Sequence, residues 1–201
     1  MIIPPAAVKS LSKDPVMKKL IKEYGEIELP DRTTHLFEDL VDSIVSQQLS
    51  LKAAATIFKR FKSLFPEGEF PSPQAILEVP DKDIRSRGLS FSKIHYIKGV
   101  CIEIIEGRLV LNDLWNLKDE EAKAKLVALK GIGEWTAEMI LMFSLGREDI
   151  FSVGDMGLKN AIQNLYGIDK TDKKALLALS EKWAPYRSWA CRYLWKSLET
   201  K

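Results

Sequence analysis

Apolar residues recur at helical spacing along almost the whole chain, and no convincing run alternates with period two. A half-buried strand needs that alternation, so the pattern restricts the chain to helices packed on helices. From Leu36, the residues Phe37, Leu40, Val41, Ile44 and Val45 form one apolar stripe; Ala54, Ile57, Phe58, Phe61 and Phe65 form a second after Ser50. The turn-rich segment PEGEFPSP interrupts the pattern. Within it, Ser72 followed by Pro73 supplies the N-cap and first-turn chemistry of a short helix ending near Val79. Asp81 is placed to cap another, which stops near Gly88. Between Phe91 and Glu106 a stripe of Ile94, Ile97, Cys101, Ile104 and Ile105 is expected to face the core, with Gly107 as a left-handed stop. Further helices are expected from Asp119 to Leu129, from Glu134 to Leu145, and around Leu158, Ala161, Ile162 and Leu165. Asp172 and Pro185 open the last two. The expected class is all-α, with no repeat of about 20 to 50 residues that would signal a solenoid.

With 201 residues and 46% apolar content, the chain can bury a sizeable core, which excludes disorder. Thirty Lys and Arg against 28 Asp and Glu leave a net charge of +2, excluding strongly basic tails and acidic solvating segments. Three windows nevertheless lack acids. They carry Lys52, Lys59, Arg60 and Lys62; Arg85, Arg87, Lys93 and Lys98; and Lys182, Arg187, Arg192 and Lys196. Such windows could face a polyanion, but charge counting alone favours cations that simply line solvated helix faces. Only Cys101 and Cys191 occur, which excludes a disulfide scaffold and a four-cysteine iron–sulfur cluster. His35 and His95 have no metal-ligand partner at useful spacing, so no catalytic metal is implied. No segment approaches the roughly 18 apolar residues of a membrane span, and MIIPPAAVKS lacks the regions of a secretory signal. A cytoplasmic or nuclear location is expected.

Chemistry concentrates between Leu129 and Asp155. Leu129-Lys130-Gly131-Ile132-Gly133 ends one helix as the next begins, and its glycines allow a close backbone approach to an anion such as a DNA phosphate. Gly-x-Gly alone is equally an ordinary helix-to-helix turn. The longer run through Glu134, Trp135, Thr136 and Ala137 resembles the helix-hairpin-helix signature of base-excision DNA glycosylases. Asp155 lies twenty residues beyond Trp135, in Phe151-Ser152-Val153-Gly154-Asp155. The paired spacing is more specific than either half. Three further segments resemble the 3-methyladenine DNA glycosylase II branch of that superfamily: Ser43 to Ser50, Arg87 to Ser90 with Lys93 and Tyr96, and Trp183 to Ala190. The resemblance covers about residues 34 to 198.

It implies a two-lobed helical fold. Residues 36–146 would form a six-helix barrel carrying the hairpin, residues 1–35 and 147–201 a second lobe, and the active site would lie between them. Asp155 would stabilise positive charge developing on the deoxyribose as an N-glycosidic bond breaks; on residue chemistry alone it reads first as a helix N-cap. Relatives that also cut the sugar backbone carry a lysine where this chain has Trp135. The resemblance therefore implies a monofunctional enzyme that uses water and leaves an abasic site. Trp135 and Trp195 would bind a cationic methylated purine, with Met139 at a position where some relatives have another aromatic. Either Trp is also readable as a core aromatic. Gln47, Gln48, Leu49 and Ser50 form the turn that would enter the minor groove, with Gln48 or Leu49 filling the gap left by a flipped nucleotide. Lys130, Gly131, Ile132, Gly133 and Thr136 would grip the DNA backbone. The backbone carbonyls of Val127, Leu129 and Ile132 would hold a structural monovalent cation when DNA is bound. The implied function is excision of 3-methyladenine and 7-methylguanine from duplex DNA by a monomer, without a catalytic cofactor. A non-enzymatic DNA-binding module and a glycosylase for an etheno or oxidised base stand as the alternatives.

Overall fold

Helix starts in the computed structural model, which describes residues 1–199, follow capping chemistry written in the sequence. In chain order the helices are α1 (Pro5–Leu11), α2 (Pro15–Tyr24), α3 (Leu36–Ser46), α4 (Leu51–Lys62), α5 (Pro73–Glu78), α6 (Asp81–Ser86), α7 (Phe91–Ile105), α8 (Asp119–Val127), α9 (Glu134–Met139), α10 (Met156–Tyr166), α11 (Lys173–Ser180) and α12 (Arg187–Glu199). The side chains of Asp14, Ser50, Ser72, Ser90, Asp155 and Asp172 each accept from a backbone N–H in the first turn of the helix that follows. No strand occurs among the described residues, where an isolated bridge pairs Ile2 with Glu28. The class is all-α, as expected.

Four local features differ from the sequence reading. Pro80, not Asp81, occupies the cap of α6; Asp81 sits in the first turn, where its charge still meets the positive end of the helix. On α7 the buried stripe is Ile94, Ile97, Val100 and Cys101, while Ile105 is half exposed, because periodicity does not register where a helix's packing partners end. The stretch beginning at Glu134 is α-helical only to Met139 and continues as a π-helix over Ile140–Ser144, closing with Arg147 N–H donating to Leu141 O. Helices α1 and α2 were not anticipated. They are short and start at prolines, and each buries only two side chains: Ala7 and Leu11, then Met17 and Leu20.

The chain divides into two compact units, residues 34–140 and residues 1–33 with 141 onward. The second boundary thus falls inside the π-helical stretch rather than after residue 146. In the 34–140 unit, α3, α5 and α6 pack on α7, α4 packs on α3, and α8 on α9. Leu40, Ile44, Phe61, Ile76, Ile94 and Cys101 are fully buried there, and burial pushes the Cys101 thiol up to about 12. In the terminal unit, α12 packs on α10 and α2. Asp14 ties that unit together. One of its oxygens caps α2 and the other accepts from Tyr166 Oη at 3.0 Å and Trp183 Nε1 at 3.1 Å.

Candidate functional site

Asp155 is held by two donors that converge on one oxygen. Its Oδ1 accepts from Leu158 N–H at 2.8 Å, the N-cap bond of α10, and from Trp195 Nε1 at 2.9 Å. Capping and a chemical role are therefore not alternatives: the cap is what fixes the carboxylate. The Trp195 indole can come this close because residue 157 has no side chain. A Cβ at Gly157 would lie 3.1 Å from both Asp155 Oδ1 and Trp195 Cδ1. Phe143 flanks the same indole, with ring centroids 5.8 Å apart, and Arg192 lies over the Phe143 ring.

The segment leading to Asp155 is fastened to the start of α12. Arg187 grips Asp149 with Nε to Oδ1 at 2.8 Å and Nη2 to Oδ2 at 2.9 Å, the bidentate geometry that fixes orientation best. The buried Ser188 donates to Arg147 O at 2.6 Å and accepts from Ile150 N–H at 3.0 Å. Helix α12 thus supports the aspartate twice, through this loop and through Trp195.

In the 34–140 unit, α8 and α9 flank the Gly131-Ile132-Gly133 hairpin. Ile132 is buried and anchors it, while Lys130 and Gly133 are exposed. Lys123 and Glu138 join the two helices through a 2.6 Å ion pair, with Glu138 only 5% exposed. The Lys130 ammonium lies 3.5 Å from His95 Nε2. Gly131 has φ +93°, and a Cβ there would fall 2.4 Å from the Tyr96 ring, so only glycine fits. Gln47 Nε2 donates to Gly131 O at 2.8 Å, which links the hairpin to the turn after α3. In that turn Gln48 takes φ +58°, a left-handed conformation that costs a non-glycine residue about 1 kcal/mol. Gln48 and Leu49 are both exposed, and Ser50 caps α4. Gln47, Gln48, Tyr96, Gly131 and Gly133 line a groove of about 540 Å³.

The remaining expected residues are placed as follows. Trp135 is 47% exposed and so is no core aromatic, and Met139 is half-buried. Thr136 is buried beside Ala137, unlike the exposed Gly133 and Glu134. The described residues hold no cluster of three or more His, Cys, Asp or Glu that could bind a metal ion, and no helix is long and apolar enough to cross a membrane. Sequence reasoning missed Gly157, the Lys123–Glu138 pair and the grip of Arg187 on Asp149. Lys93 was noted only as part of a family-like segment and a basic window; its ammonium donates to Val45 O and Gln47 O, each at 2.7 Å, and burial lowers its pKa. The available signal was the acid at position 138 in a stretch that is apolar from Met139 onward.

An all-helical chain with a glycine-pinned hairpin followed by a helix-capping aspartate defines a class. The protein belongs to the HhH-GPD superfamily of base excision DNA repair proteins, whose family model matches residues 41–185. It is similar to DNA-3-methyladenine glycosylase 1 of Schizosaccharomyces pombe, with 37% identity over 185 residues, 90% of this chain and 81% of that protein. A crystal structure of DNA-3-methyladenine glycosidase from Bacillus halodurans superposes with a TM-score of 0.90 at 41% identity, covering 100% of this chain and 93% of that one. The S. pombe 3-methyladenine DNA glycosylase Mag1, in complex with abasic DNA, gives a TM-score of 0.85 at 36% identity, covering 96% and 97%. The Bacillus subtilis protein YfjP is 38% identical over 170 residues, and this chain spans 59% of its length.

Proposed function

We propose that this protein is a monofunctional DNA glycosylase that flips alkylated bases, 3-methyladenine and 7-methylguanine, out of duplex DNA and hydrolyses their N-glycosidic bonds in base excision repair. The observation that carries the proposal is the Asp155 carboxylate, oriented by Leu158 N–H and Trp195 Nε1 through a single oxygen. As the bond between C1′ and the base nitrogen breaks, its electron pair leaves with the base and positive charge develops on the sugar. A fixed carboxylate stabilises that charge, and water completes the substitution at C1′, losing a proton. A base already cationic through methylation departs neutral and needs no general acid. The names of the relatives, and the abasic DNA bound to Mag1, support this substrate class.

The other residues take roles around that step. Trp135 and Trp195 stack on the cationic base, with Met139 beside them. Gln47, Gln48, Leu49 and Ser50 enter the minor groove, while Lys130, Gly131, Ile132, Gly133 and Thr136 hold the backbone. With tryptophan at position 135, no amine attacks the sugar there and the strand stays intact. A monovalent cation fits the neutral carbonyls of Val127, Leu129 and Ile132. Leu129 O already accepts from Ile132 N–H at 3.0 Å, which uses one of its two lone pairs. The cation would bridge the hairpin to a phosphate. Acting on DNA as a monomer, the enzyme would work at the nucleoid or in the nucleus.

The test is incubation of the protein with methylated duplex DNA and chromatography of the released bases. Free 3-methyladenine and 7-methylguanine are expected. DNA binding without release of any base would reduce the chain to a binding module, and release confined to parallel duplexes that carry etheno or oxidised bases would move the substrate class.

A further inference from the structure

Gln47 and Gln48 occupy the two central positions of a turn closed by Leu49 N–H donating to Ser46 O at 3.2 Å. Gln47 has φ −52° and ψ 133°, and Gln48 has φ +58°. Those angles are of type II, whose second central position favours glycine or asparagine. A glutamine there is relieved by the type I form, reached when the peptide between Gln47 and Gln48 rotates through about 180°. That rotation would carry the Gln47 carbonyl to the opposite side of the turn. The Lys93 ammonium holds this carbonyl at 2.7 Å, and Val45 O at 2.7 Å as well. Lys93 stands in the first turn of α7, where its own N–H bonds the Ser90 cap. One turn further along α7, the Tyr96 ring packs against Gly131 of the hairpin. Helix α7 thus braces the turn through one side chain and the hairpin through another, and the bond from Gln47 Nε2 to Gly131 O closes the triangle.

We infer that Lys93 is a positioning residue that selects the type II form of the 46–49 turn and thereby aims Gln48 into the space a flipped nucleotide leaves. The inference rests on the glycosylase reading above. It assigns Lys93 no contact with the DNA.

Lys93→Met keeps most of the stem and removes the ammonium. Two readouts are taken on the full chain: 2-aminopurine fluorescence beside a 7-methylguanine in duplex DNA, which reports unstacking on binding, and single-turnover release of that base. The variant should lose at least roughly tenfold in release from a paired duplex, together with most of the fluorescence rise. It should lose less than about threefold when the lesion is in single-stranded DNA, where extrusion costs little. Adding Gln48→Asn, which tolerates a positive φ, should recover much of the loss, and the losses from Lys93→Met and Gln48→Ala should not add. If Lys93→Met melts below the assay temperature, Lys93→Gln is subjected to the same comparisons. Equal losses on paired and single-stranded substrate, additive losses, or a fluorescence rise equal to that of the wild type would overturn the assignment. A wild-type protein that releases no base, yet shows the fluorescence difference, would refute the glycosylase reading and leave the role of Lys93 standing.

Discussion

Around Asp155 two donors converge on one side-chain oxygen, whereas around Gln48 the donors of Lys93 and Gln47 all end on backbone carbonyls. In the first region the supports set the direction of a side-chain carboxylate. In the second the supports set a backbone path, and side chains are displayed from it. Each region also depends on one glycine that clears space for an aromatic ring. A Cβ at Gly157 would meet Trp195 at 3.1 Å, a contact that an ångström fraction of movement relieves; at Gly131 it would meet Tyr96 at 2.4 Å, which nothing short of rearrangement relieves. Substitution at the carboxylate should therefore change rate with little change in stability, and substitution at the hairpin should change both.

The largest effect is expected for Asp155→Asn. Asparagine caps a helix as well as aspartate does, so the melting temperature should barely move and duplex affinity should hold or rise. Single-turnover base release should fall by roughly two orders of magnitude or more. A rate near wild type would place the chemistry on another residue and dissolve the contrast between the regions.

Next comes Gly131→Ala, which combines φ +93° with the Tyr96 collision. It should cost about 1 to 3 kcal/mol of stability by thermal melting and weaken duplex binding by fluorescence anisotropy, whatever the sequence or lesion. Gly133→Ala is the stability control: φ there is −87° and no atom lies within 4 Å of the added carbon, so the melting temperature should stay near wild type even if the new methyl weakens contact with a phosphate. Matching losses of stability in the two variants would mean that the hairpin is sensitive everywhere and that the Tyr96 contact is incidental.

Trp195→Phe should be milder. It keeps a ring beside Phe143 but removes the indole N–H from Asp155, and loss of one such hydrogen bond is worth about 1 kcal/mol, or roughly fivefold in rate. The smallest effect is expected for Gly157→Ala, a reduction of roughly twofold to fivefold in base release at nearly unchanged duplex affinity. If Gly157→Ala proved the more damaging of the two, packing of the indole rather than its hydrogen bond would be what orients the carboxylate.

Much of this was legible in the sequence because it is encoded locally. The all-α class follows from period, and α5, α7, α10 and α11 announce their caps in one or two residues. Asp155 and the hairpin were found because the family motif that they resemble lies within one stretch of chain. What stayed hidden depends on partners distant in sequence. Lys93 is read as a cation in an acid-free window and as part of a family-like segment, but its task is not visible until its carbonyl partners, 48 and 46 residues away, are placed beside it. Trp195 is expected beside the base from the resemblance, but its bond to Asp155, across 40 residues, has no trace in the sequence. Gly157 has no local signature, since its backbone is ordinary and only the arrival of the indole explains it. The change from α- to π-helix after Met139 likewise leaves no mark in an apolar run.

The most direct test of hydrolytic excision uses a duplex with a single 7-methylguanine, incubated with the wild-type protein and divided in three. One portion is assayed for free base, one for strand scission before and after alkali, and one is treated with borohydride and examined for a protein–DNA adduct. Free 7-methylguanine equimolar with alkali-labile sites, an intact strand before alkali and no trapped adduct are expected from a carboxylate-assisted attack by water. A trapped adduct would show that an amine, with Lys130 nearest the motif, is the nucleophile; a duplex that is bound but left unmodified would contradict catalysis altogether.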